Sequence, residues 1–388
     1  MPWEEKTVEK SRAEFVREAL AKEQSFSEIC RKYAITRKTG YKWIERYQNN
    51  KGLKSQSKAP FHTPNKTSED TEQIILKARE SHPTWGARKL KRYLQNNGIE
   101  ALPAHSTITD ILKRNNKITH EESLEHTAYT RFVRENPNEL WQVDFKGDFL
   151  LMNNERCFPL TVLDDHSRYS LAIDAKRNQQ GIGVFESFNR IFSEYGLPES
   201  LLCDNGNPWG TSQRTGYTKF EVWLMKLNIL PIHGRPLHPQ TQGKEERFHR
   251  TMKSDIIGIN SLKDFEYAQQ QFDLFRYQYN HERPHDALDL DVPAKHYKVS
   301  HRRMPSKIIC PNYEENSNIR KINEKGYFSF QNHSYFLSEA FAHEYIEIVP
   351  SSIDGFIKIH YGKFKIARID LQEQLYVSKS IYRVEEQK

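Results

Sequence analysis

Residues 140–149 read LWQVDFKGDF, and this stretch decides the central fold of the chain. Asp144 follows an apolar-rich run that is typical of a half-buried β-strand. A carboxylate on such a strand is costly unless it is paired or binds a metal ion. The stretch therefore predicts a strand that carries a functional carboxylate.

Two more carboxylates lie in contexts that single them out, in LLCDNGNPW at residues 201–209 and in HPQTQGKEERFHRTMK at residues 238–253. Alone, Asp204 before Asn-Gly is typical of a turn, and Glu246 of a solvated helix that opens near Gly243. Carboxylates are hard oxygen ligands for Mg²⁺ or Mn²⁺. Together Asp144, Asp204 and Glu246 predict a site with two metal ions for phosphodiester chemistry.

The region from about residue 140 to 297 resembles the catalytic core of the DDE transposases and retroviral integrases. Four motifs carry the resemblance, in this order: WQVD at 141–144, CDNG at 203–206, PQTQG at 239–243 with Glu246 three residues after the glycine, and YNHERPH at 279–285. It implies a ribonuclease-H-like α/β core with Asp144, Asp204 and Glu246 as catalytic and metal-binding residues. The pattern is closest to bacterial insertion-sequence transposases that carry helix-turn-helix modules ahead of the core.

The resemblance also implies the reaction and the partners. Such a protein binds double-stranded DNA at the terminal inverted repeats of a mobile element, cleaves the element ends to 3′-hydroxyls and joins them to target DNA. It works as a homo-oligomer, a dimer or tetramer. In the family the positions of Gln242 and Lys253 lie near the DNA end. Two alternatives stay open: a nuclease of the same fold without strand transfer, and a domesticated DNA-binding regulator.

The helix after Gly243 has two adjacent glutamates, which its periodicity separates. Phe248, Met252 and Ile256 form an apolar stripe at four-residue spacing, and Glu245 falls within the sector of that stripe. We expect Glu245 to reach at most the exposed edge of the stripe. Glu246 falls outside that sector and shares a polar face with three predicted DNA contacts, which are His249, Arg250 and Lys253.

The net positive charge of the chain is concentrated in its N-terminal part. Residues 1–140 contain 26 Lys and Arg against 19 Asp and Glu, which is the whole surplus of +7. Residues 31–66 hold ten basic side chains and the single acid Glu45. The alternative is a solvated face or a disordered tail, but a basic segment beside a folded module favours binding to phosphate.

That module is a helix-turn-helix pattern at residues 25–47. Thr36 is the expected N-cap of its third helix, in which Tyr41, Ile44 and Tyr47 are expected to face inward. Recognition helices present their N-terminal residues to base edges. The predicted DNA contacts are therefore Thr36, Arg37 and Lys38 at the helix start, with Lys42 and Arg46 holding phosphates.

Three blocks of helical spacing between residues 74 and 112 predict a second helical module. We interpret it as a winged or plain helix-turn-helix, with Arg88, Lys89 and Arg92 as contacts to the DNA backbone. A purely structural three-helix spacer is the alternative.

Five short β-type runs between residues 327 and 369 predict a small β-barrel or curled sheet, for which contact with DNA and contact between protomers are equally plausible. The fold class is thus multidomain: all-α helix-turn-helix modules, a central α/β core and a small β-barrel-like domain. The predicted domains are residues 1–50, a basic linker at 51–68, a second helix-turn-helix at 69–120, the core at 121–300 and the β domain at 301–388.

Four scattered cysteines and sixteen histidines outside any compact ligand pattern argue against a disulfide framework and against zinc. His233 and His238 are noted only as loop residues within reach of DNA. No apolar stretch of 18 residues is present, so membrane spanning is not expected, and the expected location is the cytoplasm.

Overall fold

The computed structural model describes residues 8–55, 67–118, 134–210, 216–234, 243–258, 261–353, 355–371 and 375–384. The chain forms two compact units, Met1–Lys66 and Thr67–Lys388. Each unit has its own apolar core.

The first unit is the predicted helix-turn-helix, built from α1 (Val8–Ala21), α2 (Phe26–Lys32) and α3 (Arg37–Gln48). Ser25 begins α2 with a capping box to Glu28, and the Thr36 side chain accepts a hydrogen bond from the Thr39 amide at the start of α3. These caps satisfy amides that the first helical turn leaves without partners.

The inward face of α3 differs from the prediction. Gly40 and Trp43 are buried, whereas Tyr41 and Tyr47 are more than half exposed. A β-carbon on Gly40 would lie 2.8 Å from a ring carbon of Phe26, so the three helices meet at this glycine. The prediction of Tyr41 and Tyr47 as inward residues was wrong, because α3 contacts the other two helices most closely at Gly40, where no side chain larger than glycine fits.

The segment predicted as the start of the basic linker belongs in part to this unit. Leu53 is buried in its core, and Arg12 donates a hydrogen bond to the Leu53 carbonyl at 2.8 Å. Arg46 donates to the carbonyls of Lys51 and Lys54. Residues 51–54 therefore fold back onto the helices.

The second unit begins with three helices, α4 (Glu69–Ser81), α5 (Ala87–Asn96) and α6 (His105–Arg114). Their core contains the predicted apolar positions, which are Ile75, Ala78, Leu90, Leu94, Ile108, Ile111 and Leu112. The helical spacing of the sequence is confirmed for this module.

Within the described residues, the central α/β region contains six strands. They are β1 (Trp141–Phe145), β2 (Phe149–Leu150), β3 (Arg156–Asp164), β4 (Ser170–Lys176), β5 (Ser200–Cys203) and β6 (Leu230–His233). The sheet runs β4-β3-β1-β5-β6, and the short β2 pairs with the start of β3. β1 is antiparallel to β3 and parallel to β5, and β5 is parallel to β6.

Helices cover both faces of this sheet. They are α7 (Gly181–Tyr195), α8 (Lys219–Lys226), α9 (Gly243–Met252), α10 (Phe265–His281) and α11 (Pro293–His296). α7 and α8 pack with Trp141 and Val143 on one face, and α9 and α10 pack with Leu163 and Ile173 on the other.

The C-terminal strands are β7 (Ile319–Lys321), β8 (Tyr327–Phe330), β9 (His333–Phe336), β10 (Tyr345–Pro350), β11 (Phe356–Tyr361), β12 (Phe364–Asp370) and β13 (Leu375–Arg383). Five of them form an open sheet in the order β13-β12-β11-β10-β7, and β8 and β9 form a separate hairpin. The β-barrel expectation is therefore not confirmed: within the part of the chain that the structure describes, the outer strands β7 and β13 do not pair. Strand spacing alone does not encode whether a sheet closes.

The β sheet packs against the central region. Tyr217, Val222 and Met225 share its apolar cluster, and Lys226 forms a 2.5 Å ion pair with Glu344. The chain between the two regions also stays on the central core, since Arg302 donates hydrogen bonds to three main-chain carbonyls there. One face of the C-terminal sheet is therefore covered by the central region of the same chain.

Candidate active site

Asp144 and Asp204 lie at the same edge of the central sheet. β1 and β5 are parallel neighbours in the register Gln142 to Leu202, so the residues that follow in each strand emerge side by side. Burial, followed by the charge of Asp204, raises the pKa of Asp144 to about 6. The fold therefore brings together two carboxylates that are 60 residues apart in sequence.

The turn after β5 presents the Asp204 side chain to solvent. Its Oδ1 accepts a hydrogen bond from the Asn205 amide at 2.6 Å, and the Asn205 side chain donates to the Gly234 carbonyl at 2.8 Å. The segment is therefore a turn, and this turn places the carboxylate beside Asp144.

A closed cluster lies behind Asp144, on the side away from solvent. Thr161 on β3 is the pairing partner of Asp144 on β1. Its hydroxyl lies 3.1 Å from the Asp144 carbonyl, 3.2 Å from Glu245 Oε2 and 2.8 Å from His249 Nε2. Burial lowers the pKa of His249 to about 4 and raises that of Glu245 well above its usual range. Burial therefore favours the uncharged form of both side chains.

The α9 helix has the predicted apolar stripe, since Phe248, Met252 and Ile256 are all buried. Glu245 falls in the sector of the stripe, as predicted, but it is only 1% exposed rather than at an open edge. His249 is also buried and does not share the polar face, so its proposed contact with DNA is corrected: its ring faces Thr161 and Glu245. Both errors arise because β3 offers a hydroxyl that accommodates polar groups beneath the helix.

Glu246 lies on the exposed face of α9, where its carboxylate is 3.7 Å from Arg250 Nη2 and its side chain is 68% exposed. Lys253 is exposed as well, and the predicted DNA contact Gln242 lies outside the described residues. Among the residues that the structure describes, no three His, Cys, Asp or Glu side chains converge in a metal-binding arrangement. The fold thus assembles Asp144 and Asp204, with Glu246 turned toward solvent.

The donor set at this edge nevertheless suits a divalent cation. Asp144 and Asp204 both offer carboxylate oxygens, the ligands that Mg²⁺ and Mn²⁺ prefer. The charge of Asp204 raises the pKa of Asp144, so a cation between the two carboxylates would relieve their repulsion.

The basic residues at the start of α3 are available to a partner. Arg37, Lys38 and Lys42 are exposed, as the cap residue Thr36 is. Arg46 is different, because it lies over the Trp43 ring and donates hydrogen bonds within its own domain. It therefore supports the fold of the domain rather than projecting toward DNA.

Three basic residues of α5 contact the central core. Arg88 and Lys89 lie 3.5 and 3.7 Å from the carboxylate of Asp286, and Arg92 donates hydrogen bonds to the carbonyls of Asp289 and Leu290. Burial lowers the pKa of Lys89 to about 8. The expectation that Lys89 and Arg92 contact the DNA backbone is corrected, because these side chains dock the helical module onto the core. The Arg88 side chain is 66% exposed, so its contact with DNA stays a prediction.

Two residues near the aspartates carried no signal in the sequence. Thr161 is one of several polar residues in a strand, and Glu221 lies in an ordinary capping box at the start of α8. Thr161 contacts Asp144, Glu245 and His249, which are distant in sequence. Glu221 contacts His233 on another strand as well as its capping partner Thr218, so only the folded chain shows its position near Asp204.

Family models match along most of the described chain. An integrase core domain matches residues 134–239, a second integrase core domain model matches residues 227–293, and helix-turn-helix and homeodomain-like models match residues 11–61 and 39–112. The C-terminal domain of the IS481 family of transposases matches residues 317–376.

Named relatives include proteins of insertion elements. An insertion element IS407 protein of Burkholderia multivorans is 25% identical over 43% of this chain and 57% of its own length. A relative described as a transposase for insertion sequence element IS5376 of Geobacillus stearothermophilus is 23% identical. The match covers 94% of this chain and 89% of the length of that relative. These matches support an insertion-sequence transposase with an integrase-like core.

The chain spans about half the length of the first two insertion-element relatives that it matches, 57% for the IS407 protein and 44% for an IS476 protein of Xanthomonas euvesicatoria. Among solved structures, the HTLV-2 integrase catalytic core in complex with magnesium is 14% identical, with a TM-score of 0.32 over 42% of this chain and 99% of that one. A simian T-cell lymphotropic virus intasome chain is 15% identical, with a TM-score of 0.37 over 80% of this chain and 100% of that one.

None of the helices within the described ranges is long and apolar enough to cross a membrane.

Proposed function

We propose that this transposase binds the terminal inverted repeats of a mobile DNA element, cleaves the element ends to 3′-hydroxyls and joins those ends to target DNA. The observation that carries the proposal is the pairing of Asp144 and Asp204 at one edge of the sheet. Two divalent ions, Mg²⁺ or Mn²⁺, would supply activation of the attacking oxygen and stabilisation of the leaving oxygen. Asp144, Asp204 and Glu246 would hold them.

Glu246 rather than Glu245 is the third ligand in this proposal. Glu245 is sealed beneath α9 and hydrogen-bonded to Thr161, so it has no path to an ion that also contacts DNA. Glu246 lies in the first turn of the same helix, and within the described ranges its ion pair is an exposed one with Arg250, which contributes at most about 1 kcal/mol. Its side chain is therefore free to turn toward the sheet edge at small cost.

DNA binding is assigned to the first unit. Arg37 and Lys38 lie at the N-terminus of the capped helix α3, the position from which recognition helices reach base edges. Lys42 is exposed one turn further along and would contact phosphate. We propose double-stranded DNA as the partner, and a dimer or tetramer as the working form, because two element ends must be joined in one reaction.

The test is a strand-transfer assay on DNA that carries the terminal repeats of the element, with four purified proteins compared side by side. Asp204→Asn and Glu246→Gln should abolish cleavage and joining while gel shifts show unchanged binding, because each removes a ligand charge and no basic contact. Glu245→Gln is the matched control: it changes the adjacent residue of the same helix and should keep most of the activity.

Three outcomes would contradict the proposal in different ways. Near-normal joining by Asp204→Asn would remove the site assignment. An active Glu246→Gln beside an inactive Glu245→Gln would show that the buried glutamate is the ligand. A wild-type chain that cleaves but never joins would be a nuclease of this fold, and one that only binds would be a regulator.

A further inference from the structure

A histidine and a buried glutamate lie behind Asp204, and neither has a role in the proposed cleavage and joining reactions. His233 is the last residue of β6, and its Nδ1 lies 3.0 Å from the Asp204 carbonyl oxygen. Its Nε2 lies 2.8 Å from Oε1 of Glu221. The imidazole ring therefore bridges the main chain of Asp204 and a carboxyl group on α8.

The chemistry of the two contacts fixes the orientation of the ring. A carbonyl oxygen only accepts hydrogen bonds, so Nδ1 of His233 must carry the proton that it donates to Asp204. One further proton is then shared between Nε2 and Glu221, whichever of the two holds it. Both ring nitrogens are engaged, and the ring cannot flip without losing both bonds.

Glu221 is a rigid anchor for this bridge. It is fully buried, and its second oxygen accepts hydrogen bonds from the Thr218 amide at 2.7 Å and from the Thr218 hydroxyl at 3.2 Å. These bonds form part of the capping box of α8. The capping box fixes the Glu221 carboxylate at the start of α8, so its hydrogen bond fixes the His233 ring relative to this helix.

The turn that carries Asp204 sits closely against the ring. A β-carbon added to Gly210 would lie 3.0 Å from the Asn205 carbonyl oxygen and 3.1 Å from Cε1 of His233. The Asn205 side chain also bonds to the Gly234 carbonyl, next to the histidine. The turn from 204 to 210 is thus held at the end of β6 by two side-chain hydrogen bonds.

We propose that His233 and Glu221 are positioning residues that fix the main chain of Asp204, and with it the direction in which the Asp204 carboxylate meets a divalent cation. The inference rests on the proposed metal-dependent function and extends it to residues that touch neither metal nor DNA. Mg²⁺ requires near-ideal octahedral geometry, so its use depends on how accurately Asp204 is placed.

Two amide substitutions separate the two bonds of the histidine. The amide nitrogen of an asparagine can take the place of Nδ1, and that of a glutamine can take the place of Nε2. His233→Asn therefore keeps a donor for the Asp204 carbonyl, whereas His233→Gln keeps only the contact with Glu221. His360→Gln is the matched control, because His360 is a similarly buried histidine whose Nδ1 lies 3.8 Å from a glutamate in the β sheet.

The measurement is the Mg²⁺ concentration that gives half-maximal strand transfer, with gel shift and melting temperature recorded for each variant. His233→Gln should raise that concentration or lower the rate by about 10–100-fold, the usual effect of losing a group that orients a metal ligand. His233→Asn should recover part of the loss, and Mn²⁺ should support His233→Gln better than Mg²⁺ does. His360→Gln should match the wild type.

Gly210→Ala provides a second, independent perturbation, since the added methyl group would push the turn away from the ring. It should shift the Mg²⁺ requirement in the same direction. An unchanged requirement in both His233→Gln and Gly210→Ala, or equal losses in His233→Asn and His233→Gln, would overturn the inference. Joining by the wild type and its loss in Asp204→Asn test the proposed function separately in the same experiment.

Discussion

The contact that docks the helical module onto the core gives a quantitative prediction about Asp255. This residue follows α9, and its carboxylate accepts hydrogen bonds from Arg283 at 2.6 Å and from the Thr84 hydroxyl at 2.8 Å. The Arg283 guanidinium also lies 5.8 Å from the centre of the Trp85 ring. Asp255 therefore joins the helical module to the segment that follows α10.

Asp255→Ala should strongly destabilise this junction. Both side chains of the ion pair are only 10% exposed, so the change would leave the Arg283 charge buried without its carboxylate. Removing one partner of a buried pair costs about 3–5 kcal/mol. Since each 1.4 kcal/mol is a factor of ten, amides of α5 should exchange with solvent roughly a hundred-fold to several thousand-fold faster.

The assay is native-state hydrogen exchange on the full-length protein, which reports local opening free energies. Asp273→Ala is the control: its pair with Arg276 spans 4.0 Å, the Asp273 side chain is 54% exposed, and such a pair contributes about 0–1 kcal/mol. If Asp255→Ala changed the protection of α5 no more than Asp273→Ala does, the Asp255–Arg283 pair would not hold the helical module on the core.

Three further predictions concern the glycines, the DNA-reading helix and the metal. In thermal unfolding, Gly326→Ala should destabilise the β domain by more than Gly98→Ala destabilises the helical module. Both glycines have positive φ, at which a side chain costs about 1–2 kcal/mol. Of the two, Gly326 is the one whose added β-carbon would also lie 2.5 Å from the main chain. In binding titrations Arg37→Ala should reduce discrimination between terminal and random DNA by about 1–3 kcal/mol; Lys42→Ala should weaken both and lower the salt slope by roughly one unit. Chelation of divalent ions should abolish cleavage and joining but not gel shifts, and added Mg²⁺ or Mn²⁺ should restore both reactions.

The sequence alone determined the features that depend on neighbours along the chain. The cap at Thr36, the helical spacing of the second module and the apolar stripe of α9 were all predicted correctly, because they follow from backbone geometry and local hydrogen bonds. The order of the motifs around Asp144 and Asp204 was readable too, and the parallel pairing of β1 and β5 explains why it predicts a shared edge.

Only the tertiary structure decided which polar and basic groups are covered. Lys89 and Arg92 were predicted as DNA contacts, but Asp286 and the Leu290 carbonyl, almost 200 residues away, face them in the structure. His249 looked exposed by periodicity, yet Thr161 and Glu245 hold it beneath the helix. Periodicity states which residues share a face, but whether water, DNA or another part of the chain meets that face depends on long-range packing.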